Sequence, residues 1–367
     1  MSSGQNNNIL LTSAGSLVGR TVISCLEDTC PQFRLIGTNS IPDEPYLQKL
    51  DALYLIPESS NNESIFIEKI LSLIDQLKPV LVIPCRDEDI LLLSTIAEKY
   101  SHLKDRILCG SSLMSKVMLD KWESYLFSRE NGLPFAQSSL CDNEVSTSQL
   151  IEKCGFPIII KPRKGFASRQ VTIAFDENQL RMFSSNNAMM FQEYIGENQG
   201  IINFLEDIKF NGVPLFFSFE AEKIAIQTYI NRNGTINDIF ATTHNMKNGM
   251  SMIANRYNQS DAIDLGQKTA ECFSRNGWRG PLNIQCAKDI FGNLRIYEFN
   301  GRFTGATALR LALGYDELFY ALKDFSDMRL SRSKSQQVDR VFKREIIQSI
   351  DPVWMQELKA NGFWIKF

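Results

Sequence analysis

Residues 8–110 constrain the fold more than any other part of the chain, because short apolar runs alternate there with helical patterns. The run at 9–11 precedes a helical pattern at 18–26, and the run at 80–83 follows another at 65–77. Strands and helices in regular alternation predict a parallel sheet in a doubly wound α/β domain. The first turn lacks the Gly-x-Gly-x-x-Gly spacing, which gives a nicotinamide or flavin site little support.

The pattern changes after residue 112, where we expect the first domain to end. A helix is predicted from Leu113 to Glu130, followed by short strands and helices of an α+β unit. Further along, apolar segments separated by turn residues such as Asn233-Gly234 predict antiparallel hairpins. The predicted units are 1–112 (α/β domain), 113–190 (small α+β unit), 191–330 (antiparallel-sheet unit) and 331–367 (C-terminal extension of unassigned role).

Three polar residues alternate with apolar ones in a segment that reads as a strand. Glu298, Asn300 and Arg302 lie two residues apart, so they share one face of that strand. Tyr297 and Phe299 would then face a core. A carboxylate, an amide oxygen and a guanidinium side by side suit a divalent cation and a phosphate.

The preceding segment, 282–286, also alternates and leads into this strand through turn residues 289–293. A hairpin centred there sets Gln285 opposite Glu298 and Asn283 opposite Asn300, with Cβ atoms roughly 5 Å apart. Gln285, Glu298 and Asn300 are therefore predicted to surround one cation. A surface hairpin with a polar face is the alternative reading of this segment alone.

A basic segment, 161–171, joins two apolar strands and contains Lys161, Arg163 and several small residues. Small residues allow backbone N–H groups to approach phosphate oxygens, and lysine supplies a point charge. A phosphate-binding loop and a solvated basic hairpin fit this segment equally well when it is read alone.

Composition excludes several classes of protein. A net charge of −3 with both signs dispersed argues against a nucleic-acid-binding surface. The chain has no apolar run near the roughly 18 residues that span a bilayer, and its polar start does not read as a signal peptide. We therefore expect a cytoplasmic protein with no membrane or nucleic-acid partner.

Cysteine and histidine usage limits the chemistry further. Eight scattered cysteines without a Cys-x-x-Cys pair predict buried free thiols rather than disulfides or zinc ligands. The two histidines, His102 and His244, are too few for a His-rich metal centre. Each is expected to be structural or merely exposed.

Together these motifs resemble the ATP-grasp superfamily, in particular a single synthetase unit of the branch similar to the carbamoyl phosphate synthase large subunit. The resemblance runs from residue 8 to about 325. It is carried by Leu119-Asp-Lys121, which resembles the family's Asp-Lys helix start, by Ile158-Ile-Ile-Lys-Pro-Arg163 with Gly165 and Ser168, by Gln192-Glu-Tyr-Ile195 and by the Glu-x-Asn-x-Arg run. It implies an α/β domain followed by a two-part α+β ATP-grasp module.

The resemblance also implies roles for particular residues. The nucleotide-binding residues that it implies are Lys121, Lys161, Arg163, Ser168, Gln192, Glu193, Tyr194, Ile195 and Glu222. Among these, Glu193 and Ile195 hold the adenine edge through their backbones, and Glu222 binds the ribose. Gln285, Glu298 and Asn300 hold two Mg²⁺ ions, with Mn²⁺ as a substitute. Arg302 and Lys161 are the catalytic residues, facing the transferred phosphate and acyl group.

The chain departs from the family pattern at several points. Phe166 and Gln170 stand where the phosphate lid usually carries glycine, and 196–221 is longer than expected. The chain has one synthetase unit and no glutaminase module, so complete carbamoyl phosphate synthesis is not expected.

The function implied is that of an ATP-dependent carboxylate–amine, or carboxylate–thiol, ligase acting through an acyl phosphate. The altered lid motivates an alternative, a nucleotide-binding regulator or scaffold of weak turnover, and a nicotinamide-dependent reductase rests on the first turn alone. Small carboxylates and amines are the expected partners. Thr304-Gly-Ala306 is predicted to begin a helix whose free N–H groups receive a substrate carboxylate. The oligomeric state is left open, with a homodimer as one outcome.

Overall fold

A computed structural model gives the fold. It describes residues 7–165, 170–196, 198–212, 223–247, 250–326, 330, 338–343 and 348–366. The strands of this part of the chain form three sheets, and the next four paragraphs give the elements in chain order.

The first sheet confirms the parallel arrangement expected for residues 8–110. Strands β2 and β4 flank β1, and β3 pairs with β2, all in parallel. Helix α1 packs on one face of this sheet, whereas α2 and α3 pack on the other, because each helix buries one apolar stripe. The elements are β1 (Asn8–Thr12), α1 (Leu17–Thr29), β2 (Arg34–Asn39), β3 (Ala52–Leu55), α2 (Glu63–Leu77), β4 (Leu81–Pro84) and α3 (Asp87–Lys99).

The second sheet has four antiparallel strands in the order β5-β8-β6-β7. Its core is a small apolar cluster that includes Leu150, Ile158 and Phe191. The elements that lead into this sheet and form it are α4 (Ser112–Leu119), α5 (Lys121–Glu130), β5 (Ser138–Leu140), α6 (Glu144–Cys154), β6 (Ile158–Pro162), β7 (Thr172–Ala174), α7 (Glu177–Arg181) and β8 (Met189–Glu193).

The third sheet is the largest, with strand order β13-β12-β9-β10-β11-β14 and only antiparallel pairs. Helix α9 covers one face of it. The elements are α8 (Asn198–Asn211), β9 (Lys223–Ile230), β10 (Phe240–Lys247), β11 (Met250–Arg256), α9 (Ser260–Arg275), β12 (Gly280–Lys288), β13 (Leu294–Asn300), α10 (Thr307–Ala312), α11 (Glu317–Phe325) and β14 (Arg340–Phe342).

The chain then returns to the first sheet. Helix α12 (Pro352–Asn361) buries Trp354 and Leu358 in the core around α1, and β15 (Phe363–Ile365) pairs antiparallel with β3. Part of the segment predicted as an unassigned C-terminal extension thus adds a strand to the first sheet beyond β3.

The single helix predicted from Leu113 to Glu130 is wrong, because two helices meet at Asp120. Asp120 has an extended backbone (φ −111°, ψ 114°), and its carboxylate accepts a hydrogen bond from the N–H of Trp122 at 2.9 Å. Aspartate is a favoured N-cap, so this residue ends α4 and starts α5. Lys121 becomes the first residue of α5.

Two further expectations concern the whole chain. All eight cysteines are free thiols, and six of them are buried, as predicted. Within the described ranges, no helix has both the length and the apolar character that crossing a membrane requires.

Candidate active site

A cavity of about 1090 Å³ lies where the three sheets approach one another. Its wall includes α3 of the first sheet, β6 and β8 of the second, and one face of the third. Ten of the predicted site residues line this one cavity, although their roles stay predictions. They are Lys121, Lys161, Gln192, Glu193, Tyr194, Ile195, Gln285, Glu298, Asn300 and Arg302.

The hairpin register predicted for the cation ligands is confirmed. Gln285 pairs with Glu298, and Asn283 pairs with Asn300. The register shifts between Gln285 and Cys286, so that Tyr297 is an additional residue on β13. A bulge of this kind redirects side chains locally. Phe299 enters the core as expected, and Tyr297 both packs against that core and lines the cavity beside Glu298.

The three candidate ligands suit magnesium held jointly with phosphates. Among the described residues no group of three or more His, Cys, Asp or Glu side chains is placed to hold a metal, so a closed protein site is absent there. Glu298 offers a carboxylate, and Gln285 and Asn300 offer amide oxygens. Magnesium commonly takes one or two carboxylates and completes its shell with substrate phosphates and water. The donor set therefore fits that ion.

Lys161 and Lys121 reach β13 from two different elements. Lys161, on β6, is 6 % exposed and donates to Gln192 Oε1 at 2.6 Å and to the carbonyl oxygen of Tyr297 at 3.1 Å. Lys121 Nζ lies 3.8 Å from Glu298 Oε1 and donates to Gly165 O at 2.9 Å. Both amines are thus fixed at the candidate metal site.

Burial makes the charged form of Lys161 unfavourable. It lowers the pKa of the amine from 10.5 to about 7, with Glu298 opposing this shift and Lys121 and Lys223 adding to it. An anionic ligand would reverse the effect, because a phosphate beside the amine favours the ammonium form.

Arg163 lies apart from this group. Its guanidinium binds Asp120 through two hydrogen bonds of 3.2 and 2.7 Å, and it is not among the residues that line the cavity. The structure therefore supports a structural role, in which Arg163 fixes the junction of α4 and α5. Ser168 and Glu222 lie outside the described residues, so their predicted contacts stay predictions.

The segment expected to hold the adenine edge follows β8. The Glu193 carboxylate accepts a hydrogen bond from the N–H of Gln137 at 2.8 Å and lies 3.4 Å from Arg295. The N–H of Glu193 donates to Gln137 O at 2.8 Å, so a backbone contact from this residue has to use its carbonyl. Tyr194 and Ile195 continue along the cavity wall.

Arg302 is held from two sides. Its Nη2 lies 2.8 Å from Asp87 Oδ2 and 3.1 Å from Asn300 Oδ1. Asp87 and the adjacent Glu88 start α3, directly after β4, and both line the cavity. Sequence reasoning did not select them as site residues, although ligands of α/β sheets bind at the carboxyl ends of parallel strands. This rule could have identified Asp87 and Glu88 as site residues from the sequence alone.

The expected carboxylate-binding turn at Thr304–Ala306 is wrong in one respect. The N–H of Ala306 donates to the hydroxyl of Thr304 at 3.2 Å, and the N–H of Thr304 donates to the hydroxyl of Thr307 at 3.1 Å. These two donors are therefore already used inside the turn.

Two buried residues on the other side of this turn were also missed. Arg310 and His244 line the cavity and are 1 % and 3 % exposed. Arg310 pairs with Glu317 at 2.6 Å and donates to Thr304 Oγ1 at 2.9 Å. No local pattern marks these positions, because their partners come from other elements.

The comparisons with known proteins concern the family of one segment and the fold of the chain. Residues 118–210 match the family model of the RimK-like ATP-grasp domain. The search of curated proteins returns no match.

Solved structures of three enzymes share the fold over most of the chain. The N5-carboxyaminoimidazole ribonucleotide synthetase of Thermotoga maritima aligns with a TM-score of 0.62 and 15% identity, over 90% of this chain and 78% of that one. The biotin carboxylase domain of the Hydrogenobacter thermophilus 2-oxoglutarate carboxylase gives 0.63 and 15%, over 90% and 71%. An L-amino acid ligase of Bacillus licheniformis gives 0.61 and 11%, over 88% and 75%.

The fold is the one that the sequence predicted, an α/β domain followed by a two-part module, and residues 118–210 of this chain match an ATP-grasp domain. At such low identities the structural likeness shows the fold alone. The narrower resemblance to carbamoyl phosphate synthase stays a prediction.

Proposed function

We propose that this protein is an ATP-dependent ligase that joins a small carboxylate to an amine or thiol through an acyl phosphate and releases ADP and phosphate. One observation carries the proposal. One cavity is lined by Lys121, Lys161, Arg302 and the three oxygen-bearing side chains, with Lys121 beside Glu298 and Arg302 hydrogen-bonded to Asn300. Those are the residue types that phosphoryl transfer requires.

The chemistry follows from the poor reactivity of a carboxylate. Its charge is delocalised and its oxygen leaves poorly, so a nucleophile does not displace it. Transfer of the terminal phosphoryl group of ATP onto a carboxylate oxygen creates a good leaving group. Such a transfer depends on positioning and charge neutralisation more than on covalent help from the protein.

Each residue has a proposed part in this reaction. Glu298, Gln285 and Asn300 would hold magnesium, as two ions, and the metal would neutralise phosphate charge when bound. Lys121 and Lys161 would hold the phosphates. Arg302, oriented by Asp87, would stabilise the transferred group and the acyl oxygen. The backbone after β8 would hold the base of the nucleotide.

The solved structures support the nucleotide and the metal. The Hydrogenobacter thermophilus domain was solved as a dimer with ADP, its magnesium salt and bicarbonate. By analogy, we propose Mg-ATP as the nucleotide here, manganese as a substitute metal and a homodimer as the assembly. A cytoplasmic location belongs to the same proposal.

Release of ADP tests the proposal directly. The purified chain is incubated with Mg-ATP, pools of small carboxylates, and hydroxylamine, which traps acyl phosphates as hydroxamates. We expect carboxylate-dependent ADP and hydroxamate from the unaltered chain and none from Glu298→Gln. Glu357→Gln, at an exposed position on α12, is the matched control. Failure of the unaltered chain to bind Mg-ATP would refute the function.

A further inference from the structure

His244 is a buried side chain that the phosphate chemistry does not use. It lies on β10, on the sheet face that lines the cavity, and it is 3 % exposed. Its neighbours across the sheet are Lys223 on β9 and Ala254 on β11. Because neither neighbour is a carboxylate, the ring has no anionic cross-strand partner.

The hydrogen bonds of His244 determine which ring nitrogen carries the proton. Nε2 lies 2.7 Å from Thr242 Oγ1, and the Thr242 hydroxyl donates to Ala225 O at 3.3 Å. A hydroxyl has one proton, and with that proton directed at Ala225 O, Nε2 is the donor to Thr242. Nδ1 is then a bare acceptor, and it is buried with no hydrogen-bond partner among the described residues. Buried polar atoms of this kind are rare, and a ligand is one explanation for them.

The surroundings keep this ring neutral. Burial lowers the pKa of His244 to about 3, and the charge of Arg310 acts in the same direction. Nδ1 therefore keeps its lone pair at neutral pH. It can receive a proton donor, and it would repel a carboxylate or a thiolate.

The position of His244 suits the second substrate. Gln285 on β12 pairs with Ala225 on β9, and Ala225 pairs with Thr242 on β10. His244 is therefore two strands away from Gln285, and it is two residues beyond Thr242 along β10. Strand spacing and rise put their Cα atoms about 12 Å apart, a gap that an acyl phosphate and a small nucleophile can fill. Arg310, hydrogen-bonded to Thr304, connects this region to the Arg302 loop.

We propose that His244 Nδ1 accepts a hydrogen bond from the N–H of the nucleophile, which makes that nucleophile an amine rather than a thiol. This inference rests on the proposed ligase function. With one N–H held by His244, the nitrogen lone pair attacks the acyl carbon. The C–N bond forms, the bond from carbon to the phosphate oxygen breaks, and the proton lost by nitrogen leaves with the phosphate.

Two substitutions separate this role from a structural one. His244→Leu removes the acceptor, whereas His244→Asn places an amide oxygen where Nδ1 was. His102→Leu is the control, because His102 is exposed, does not line the cavity and is the only other histidine. The first step, formation of the acyl phosphate, is measured in the absence of a nucleophile. Its readout is positional isotope exchange in ATP that depends on the carboxylate. The second step is followed by the KM for hydroxylamine.

We expect His244→Leu to raise the KM for hydroxylamine at least about fivefold, the effect of one lost hydrogen bond. Isotope exchange should persist, and His244→Asn and His102→Leu should keep the original KM. An unchanged KM in His244→Leu, or loss of isotope exchange in both His244 variants, would overturn the proposal. Absence of exchange in the unaltered chain would instead refute the ligase function.

A spectroscopic measurement decides the subsite without turnover. With only two histidines, ¹⁵N-histidine labelling resolves both rings. We expect the Nε2-protonated neutral form for His244 at pH 7, and a shift of its Nδ1 resonance toward the protonated range when hydroxylamine is added. A doubly protonated ring, or an Nδ1 resonance that hydroxylamine does not move, would rule the subsite out.

Discussion

Asp87 and Arg302 are 215 residues apart in sequence, yet Arg302 Nη2 lies 2.8 Å from Asp87 Oδ2 at the edge of the cavity. The pair joins the start of α3, in the first domain, to the loop after β13. Their side chains are 19 % and 14 % exposed, so solvent screens the attraction only in part. The first domain therefore helps to orient the arginine proposed to face the transferred phosphate.

Removal of this orientation should slow turnover. We expect Asp87→Asn to lower kcat/KM for the carboxylate about 10- to 100-fold, the range for loss of a hydrogen bond to a charged group. Steady-state ADP release measures the effect. Asp43→Asn removes an acidic partner from an exposed ion pair with Lys359 and should leave the rate unchanged. Equal rates for the two variants would mean that Asp87 does not orient Arg302.

Lys161 should take up a proton when the nucleotide binds. Its pKa of about 7 in the free protein leaves the amine mostly neutral at pH 8, and phosphate charge raises that pKa. Binding at pH 8 is then coupled to uptake of up to one proton, and affinity falls as pH rises above 7. Titration calorimetry in two buffers of different ionisation enthalpy measures the uptake.

The uptake belongs to Lys161 only if Lys161→Met abolishes it. Lys153→Met, at an exposed position on α6, should keep it. If the two buffers give the same binding enthalpy for the unaltered chain, Lys161 is already charged before the nucleotide arrives.

Removing one partner of the Arg310–Glu317 pair should lower the free energy of unfolding more than replacing both partners with apolar residues. Both side chains are buried, and Glu317 also accepts a hydrogen bond from Gln227. Arg310→Met leaves a buried carboxylate without its cation, which typically costs about 3–5 kcal/mol. The double replacement Arg310→Met with Glu317→Leu should recover part of that loss in the free energy of unfolding. Denaturant titration compares them, and a double variant less stable than Arg310→Met would contradict this.

Leu358 should tie the C-terminal helix to the first domain. It is fully buried in the core around α1. Leu358→Ala should lower the free energy of unfolding by about 2–5 kcal/mol, because it removes buried methyl groups and leaves a cavity. Val353→Ala, on the exposed face of the same helix, should change it by less than about 0.5 kcal/mol. Similar melting temperatures for both variants would show that α12 adds little stability.

Most strands and helices were predictable from the sequence, and so was the register of one hairpin. Alternation of apolar residues is a local signal, and it was sufficient to pair Gln285 with Glu298. The apolar pattern showed neither the break at Asp120, where only the resemblance implied a helix start, nor the bulge at Tyr297. Each depends on one residue at which a cap or an additional ladder position outweighs the regular pattern.

The candidate site was predictable only in part. Ten predicted residues line the cavity. They were found because the resemblance to the ATP-grasp superfamily is carried by short sequence motifs, and those motifs lie on the cavity walls. Arg163 showed the same kind of motif but pairs with Asp120 instead. Charge and position in a motif do not determine which partner a flexible side chain finds.

By itself the sequence determined the parallel first sheet, the hairpin that carries the candidate metal ligands, and the lysines that accompany them, because each is specified by residues close together in the chain. Only the tertiary structure decided that Asp87 holds Arg302, that β15 extends the first sheet beyond β3, and that His244 lies buried with a ring nitrogen that no described residue hydrogen-bonds. Those relationships join residues from separate elements or depend on burial by them. Packing creates them, and no local pattern of residues encodes them.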